Sequence, residues 1–393
     1  MPVSDWRMLA AGLADELAAA GKLRSPEWHA AVRAVPRHEL VPVHYTMDPH
    51  TGDWKAVQTA DDLSRVYSNT ALFVLPGGLS STSMPSLMTR MLETLDIRDR
   101  HRVLEIGVGS GYNAALLCHR LGSEHVFAVD IETDLVRLAR ERLAHLGYHP
   151  TLVAIDGADG LPEHAPYDRI IATCSVPVIP WTWIQQTRDE GIILADVKIG
   201  KQAGNLVLLR RRGHIAEGRF DPTYGSFMSI RRRGETYQQA RPTIVSQQRD
   251  SARQRTTTLD LTRPWEHSAF WFYAHTTLPS GTSFSLRGDG PDQPPRNTVL
   301  HSPDGSWCEV REDSERGTRY VWETGPHSLW RIIEDTHAAW VVLGRPGWER
   351  FGLTATPDRQ WIWLDSPHGD RAWTLPLGKR WSQSTRAPVS VQE

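Results

Sequence analysis

From about residue 102 onward, short Val/Ile/Leu-rich runs alternate with helical stretches, and this alternation restricts the possible folds more than any other feature. Runs 102–107, 126–130, 151–156, 167–174, 191–197 and 205–212 read as strands. Stretches 111–121 and 132–146, between the first three, repeat their apolar residues at helical spacing. Such βαβ units demand a mostly parallel sheet covered by helices, so the expected class is α/β with a Rossmann-like sheet and helices on both faces. Ligands of these sheets gather at the carboxyl ends of the strands.

Those ends carry the chemistry. Val103-Leu104-Glu105-Ile106-Gly107-Val108-Gly109-Ser110-Gly111-Tyr112 closes the first strand and opens the first helix. Gly107, Gly109 and Gly111 remove side chains where a ligand must approach backbone, and a helix start offers free N–H groups. A dinucleotide loop would need glycine at 112, where this chain has Tyr. The mismatch argues against NAD and toward the G-x-G-x-G turn of S-adenosylmethionine (SAM) methyltransferases, although a plain Gly-rich turn is the bland alternative. Asp130 ends the second strand 19 residues past Gly111, where an acid reaches a ribose diol; alone it also reads as a helix cap. Asp156-Gly157 follows the third strand, and its carboxylate can accept from an adenine amino group or simply make a turn.

Ahead of this core, residues 5–20 and a shorter stretch opened by Ser25-Pro26 read as amphipathic helices. Ser80 to Ser83 can cap a helix over 85–95. The three cysteines, Cys118, Cys174 and Cys308, are too few and scattered for a disulfide framework or a zinc site, so no metal is expected. Net charge is −2 and the apolar stretches are far too short to span a bilayer. Asp5, Arg7, Asp15 and Glu16 stand where a secretory signal would be apolar, so the expected location is cytoplasmic, without membrane contact.

Several ordered motifs carry a resemblance. Ala34-Val35-Pro36-Arg37-His38-Glu39-Leu40-Val41-Pro42, Ser81-Thr82-Ser83-Met84-Pro85, the glycine loop, Ala165-Pro166-Tyr167-Asp168-Arg169-Ile170 and Val176-Pro177-Val178-Ile179-Pro180 follow one another along the chain. With these pieces, residues 10 to 230 resemble the protein-L-isoaspartate (D-aspartate) O-methyltransferase family. The resemblance implies SAM as cofactor, S-adenosyl-L-homocysteine as its product, and a cofactor-binding set of Ser81, Thr82, Ser83, Glu105, Gly107, Gly109, Gly111, Asp130, Asp156 and Gly157. Ser83 matches the serine of the family's T-I-S-x-P motif, which lies beside the transferred methyl, and is the catalytic candidate. Residues 45–54 and 61–78 depart from the family pattern around the substrate entrance.

The pattern changes after Arg233. Between 231 and 263, eight Arg face three acidic residues with little apolar periodicity, which reads as a basic linker, either a solvated tether or an attractor of an acidic peptide. Eleven of the 16 tryptophans lie from Trp265 onward. There 269–278, 307–311, 318–323, 351–356 and 361–365 read as strands, the last two a hairpin, and 328–343 as a helix. The expected organisation is an N-terminal helical and substrate-side region (1–95), a SAM-binding core (96–232), a linker (233–263) and a Trp-rich α+β domain for peptide recognition (264–393). On that division, deleting 264–393 should spare cofactor binding.

Gly344-Arg345-Pro346, Arg350-Phe351-Gly352-Leu353-Thr354-Ala355-Thr356-Pro357-Asp358 and Trp361-Ile362-Trp363-Leu364-Asp365 resemble the C-terminal extension of family members found with ribosomally made, modified peptides: lanthipeptides, graspetides and lasso peptides. That implies an Asp of a constrained precursor peptide as acceptor, with the methyl ester passing to aspartimide or isoaspartate. Isoaspartate repair by the same chemistry, and a catalytically weak SAM-fold peptide-binding protein, are the competing expectations. Cys174-Ser175-Val176-Pro177 stands where an amino-group methyltransferase would carry an Asn/Asp-Pro-Pro-aromatic motif, which disfavours a nucleic-acid substrate.

Overall fold

The computed structural model describes residues 6–48, 51–232, 249, 252–288, 296–313 and 315–377. Helices α1 (Trp6–Ala19) and α2 (Pro26–Ala34), the latter opened by its proline, pack Leu13, Leu17, Trp28 and Val32 into the main core. The single turn α3 (Arg37–Leu40) leads into β1 (Val43–Met47), β2 (Trp54–Gln58), α4 (Leu63–Val66), β3 (Leu72–Leu75) and β4 (Ser80–Thr82). These strands form a separate antiparallel sheet in the order β2-β1-β3-β4, to which residues of segments 45–54 and 61–78 contribute. Helix α5 (Pro85–Thr94) follows it, with Pro85 at its first position.

Next come β5 (Val103–Ile106), α6 (Tyr112–Leu121), β6 (Val126–Asp130), α7 (Thr133–His145), β7 (Thr151–Ala154), β8 (Tyr167–Val176), α8 (Trp181–Gln186), β9 (Thr187–Gly200), β10 (Ala203–Arg212) and β11 (Ile215–Phe220). The β7-β6-β5-β8-β9 pairs are parallel and β9-β10-β11 antiparallel, so the Rossmann-like expectation holds. Strands β5 and β6 are buried along their whole length, as parallel strands covered on both faces must be.

The second half contains β12 (Arg253–Thr257), α9 (Ser268–His275), β13 (Ser283–Arg287), β14 (Asn297–His301), β15 (Trp307–Arg311), β16 (Arg319–Thr324), α10 (Leu329–Val342), β17 (Phe351–Ala355), β18 (Gln360–Leu364) and β19 (Ala372–Leu375). Strands β12-β16-β15-β14-β13 form an antiparallel sheet. Strands β17 to β19 instead continue the main sheet: β17 pairs with β11, giving the ten-stranded order β19-β18-β17-β11-β10-β9-β8-β5-β6-β7. The main sheet therefore draws on residues from both sides of position 264.

Two expectations need correction. Residues 269–275 lie in α9 and 276–278 in the turn that follows it, so the run is not a strand. The run is apolar all round because it is buried all round: Phe272 and Tyr273 join the core of the ten-stranded sheet, while Phe270, Trp271 and Ala274 join that of the five-stranded sheet. The basic stretch is also more than a tether. It contributes β12, and Arg231, Arg232, Arg249, Arg255 and Arg263 each pair with an acid, Glu132, Asp156, Glu309, Glu323 and Glu312 respectively. Its residues 233–248 and 250–251 lie outside the described residues. Among the described residues no helix is long and apolar enough to cross a membrane.

Candidate active site

The carboxyl ends of β5, β6 and β8 open onto a cavity of about 310 Å³ whose opposite wall is β4 and the start of α5. Ser81, Ser83, Gly107, Gly109, Asp130 and Gly157 of the expected set line it. Gly107 sits at φ +95°, and a Cβ there would fall 2.8 Å from Thr173 Oγ1. That hydroxyl donates to the carbonyls of Gly107 at 2.7 Å and Ile106 at 3.1 Å, so the turn is stapled to β8 and cannot carry a side chain.

Asp130 accepts from the Gly109 N–H at 3.0 Å through one oxygen and from the Glu132 N–H at 3.1 Å through the other. Burial raises its pKa, and those two backbone donors oppose the shift. Each oxygen keeps a further lone pair for a ligand hydroxyl. At Gly157 a Cβ would meet Ile106 Cγ2 at 2.8 Å, and Ile106, Val129, Ile131 and Ile230 give this end of the cavity aliphatic walls. A slot with apolar walls, a glycine cradle and an acid at its side fits the adenosine portion of SAM.

The other expected residues stand behind this lining. Thr82 is buried on the face of β4 opposite Ser81. Glu105 lies beneath the loop, accepting from Asn113 Nδ2 at 2.8 Å while its Oε2 has no partner among the described residues, and burial raises its pKa to about 8. Gly111 serves packing: a Cβ there would lie 3.3 Å from Ala139, so its absence lets α6 approach α7. Asp156 caps its own turn by accepting from the Ala158 N–H at 3.0 Å, and its other oxygen accepts from Arg232 Nε at 3.1 Å. Ser83 lines the cavity, and among the described residues its hydroxyl has no partner within the protein.

Residues 226–231, absent from the expected set, form a third wall. This strap crosses the ends of β8 and β9: the Ser175 N–H donates to Met228 O and the Ile230 N–H to Ser175 O, both at 2.8 Å, and the Phe227 N–H donates to Asp196 Oδ2 at 2.8 Å. Lys198 pairs with Asp196 at 3.4 Å and donates to Phe227 O. The strap itself has no periodicity to reveal it. A signal lay in β9, where Asp196 and Lys198 interrupt an apolar strand and so require a polar partner. Among the described residues no cluster of three or more His, Cys, Asp or Glu could hold a metal ion.

The sequence profile of the Protein-L-isoaspartate(D-aspartate) O-methyltransferase (PCMT) family matches residues 10–219, more than half of the chain. The chain belongs to this family. It is a SAM-dependent carboxyl O-methyltransferase, with SAM as its cofactor. Protein-L-isoaspartate O-methyltransferase of Methanococcoides burtonii is 36% identical over 190 residues, 47% of this chain and 83% of that protein. Protein-L-isoaspartate O-methyltransferase 1 of Archaeoglobus fulgidus is 32% identical over 229 residues, 56% of this chain and 94% of that protein. A solved structure of a protein-L-isoaspartate O-methyltransferase aligns over 91% of this chain and 100% of its own, with a TM-score of 0.53 and 21% identity. That coverage extends beyond the family match, so the likeness of fold takes in much of the second half.

Proposed function

We propose that this family member esterifies an ordinary aspartate side chain in a ribosomally made precursor peptide, one macrocyclised or otherwise constrained, leading to aspartimide or isoaspartate. The observation that carries the methyl-acceptor site is Ser83, whose uncommitted hydroxyl lines the same cavity as the Gly107–Gly109 cradle and Asp130. SAM, when bound, supplies an electrophilic methyl group on a sulfonium. An acceptor carboxylate with a solution pKa of about 3.9 is already ionised at neutral pH, so the protein needs no general base. The Ser83 hydroxyl donates a hydrogen bond to that carboxylate and fixes its approach, an orientational contribution. In the resulting ester the backbone nitrogen of the next residue attacks the carbonyl carbon, methanol leaves with the nitrogen's proton, and a five-membered succinimide closes.

Support for a dedicated acceptor comes from segments 45–54 and 61–78, which depart from the family motifs and contribute to the sheet β1–β4 beside the cavity, and from the C-terminal motifs at 344–365. Repair of isoaspartyl protein is the second reading, favoured by the fold likeness to a protein-L-isoaspartate O-methyltransferase over 91% of the chain. Offering the enzyme and SAM an isoaspartyl peptide and, separately, a macrocyclised Asp-containing precursor separates the two. Ester formation and methanol loss, followed by mass, are expected on the precursor. Methylation confined to generic isoaspartyl peptides would leave repair as the function.

A further inference from the structure

The sheet β1–β4 has one buried and one open face. His44, Leu72 and Thr82 are buried on the first, where Leu72 packs with Ala10, Val66 and Tyr67. Cross-strand partners share a face, so the pairs Met47–Trp54, Tyr45–Ala56, Tyr45–Phe73 and Phe73–Ser81 put all of these side chains on the second. Apart from Ser81, the Tyr45 hydroxyl and Gln58, which pairs with Val43 at the end of the sheet away from Met47, this face is apolar, and these side chains carry no charge. Met47 is 52% exposed and Phe73 39%. The rings of Trp54 and Phe73 meet edge to face with centroids 5.1 Å apart.

This face runs into the cavity. A Cβ on Gly78 would lie 3.6 Å from both the Phe73 and Trp54 rings, so the chain passes directly against the aromatic pair. The next residue, Leu79, lines the cavity, as does Ser81, the β4 partner of Phe73. Met84, 38% exposed, and Met228 continue the apolar rim around the mouth. Contiguous exposed apolar surface of this kind marks an interaction site, and aromatic and Met side chains are what interfaces enrich.

We propose that the open face of β1–β4 docks the acceptor peptide, taking an aromatic or aliphatic side chain that flanks the acceptor carboxylate onto Trp54 and Phe73. The proposal rests on the reading that the acceptor is a peptide carboxylate. The occupant follows from continuity: a chain whose carboxylate reaches Ser83 passes the Leu79–Ser81 rim, and the surface beyond it rewards an apolar side chain and strands a charged one. The face selects by flanking sequence, independently of whether the acceptor is aspartate or isoaspartate.

The test uses the full chain with S-adenosyl-L-homocysteine, so that binding is read without turnover. Fluorescently labelled peptides carry either an aspartyl or an isoaspartyl acceptor, with phenylalanine or glutamate scanned along both flanks. At the contacting position, phenylalanine is expected to bind about tenfold more tightly than glutamate, the size of one buried aromatic anchor. Trp54→Ala and Phe73→Ala should erase that preference, Trp54→Phe should retain it, and cofactor affinity should stay unchanged. Met47→Lys, on an exposed side chain that folding does not need, should weaken the same peptides. A flank preference that is absent, or that survives Trp54→Ala, Phe73→Ala and Met47→Lys, would overturn the docking face. Methyl transfer to the same peptides and to their macrocyclised forms is measured separately: tight, flank-dependent binding with no ester on either form would sink the proposed function and leave the docking face standing.

Discussion

The buried guanidinium of Arg37 donates through Nη2 to the main-chain carbonyl of Ser83 at 3.3 Å, joining the N-terminal signature to the serine of the cavity. The same group donates to the carbonyls of Thr70 at 3.0 Å, Val66 at 2.7 Å and Ser68 at 3.2 Å, and stacks over Tyr112 at 5.3 Å. One side chain thus holds the approach to β3, the residue after β4, and the start of α6. Arg37→Met leaves several buried carbonyls unpaired and is expected to cost about 3 kcal/mol in urea unfolding. Arg37→Lys, with one compact donor head, should recover part of the stability but not the turnover number, because it cannot span four carbonyls.

Glu105 predicts a pH dependence. Burial is the main cause of its raised pKa of about 8, the Asn113 hydrogen bond opposing and the charge of Asp130 adding. Unfolded, it titrates near 4.3, so between the two values the folded state holds a proton that the unfolded chain releases. This contribution to stability is complete below about pH 4 and is lost as pH rises through 8. Glu105→Gln fixes a neutral side chain of the same shape. Its stability in urea relative to wild type should rise by about 4 kcal/mol between pH 5 and pH 9.

The strap over the cavity is latched by Arg231 on Glu132 and Arg232 on Asp156, the latter at 3.1 Å and mostly buried on both sides. Arg231→Gln with Arg232→Gln removes both latches while leaving the cavity lining otherwise intact. SAM affinity, measured by calorimetry, is expected to fall about three- to tenfold, the range for two partly buried ion pairs. The wild type should lose affinity as salt rises, and the double variant should lose less.

The parallel half of the sheet, its glycine turn and Asp130 were legible because each rests on local rules: apolar runs, backbone room and position after a strand. The second half was less so. Residues 269–278 read as a strand because an apolar run has no face, and only the two sheets packed on either side of α9 show why it is a helix. Arg231 and Arg232 read as part of a basic linker, a tether or an attractor of an acidic peptide, because their partners, Glu132 and Asp156, lie far away in sequence. Of the late tryptophans, Trp271 and Trp330 are fully buried and Trp307, Trp348 and Trp363 nearly so, while Trp265, Trp322, Trp340, Trp361 and Trp373 are half-buried.

The shared sheet also alters what truncation should do. Removing 264–393 strips β17 from β11 and α9 from the sheet beneath it, exposing a strand edge and the apolar surface around Phe220. The shortened chain is expected to aggregate, or to lose SAM binding, in light scattering and calorimetry. Retained solubility and full SAM affinity would show instead that residues 1–263 fold independently.

Transfer at Ser83 is tested most directly by comparing wild type and Ser83→Ala for SAM binding and for methyl ester formation on a peptide acceptor at saturating cofactor. A hydroxyl that orients the acceptor carboxylate predicts unchanged SAM affinity and a turnover lowered about a hundredfold, the usual effect of losing one positioned donor. Unchanged turnover would remove Ser83 from the transfer step and would contradict placing the acceptor in this cavity.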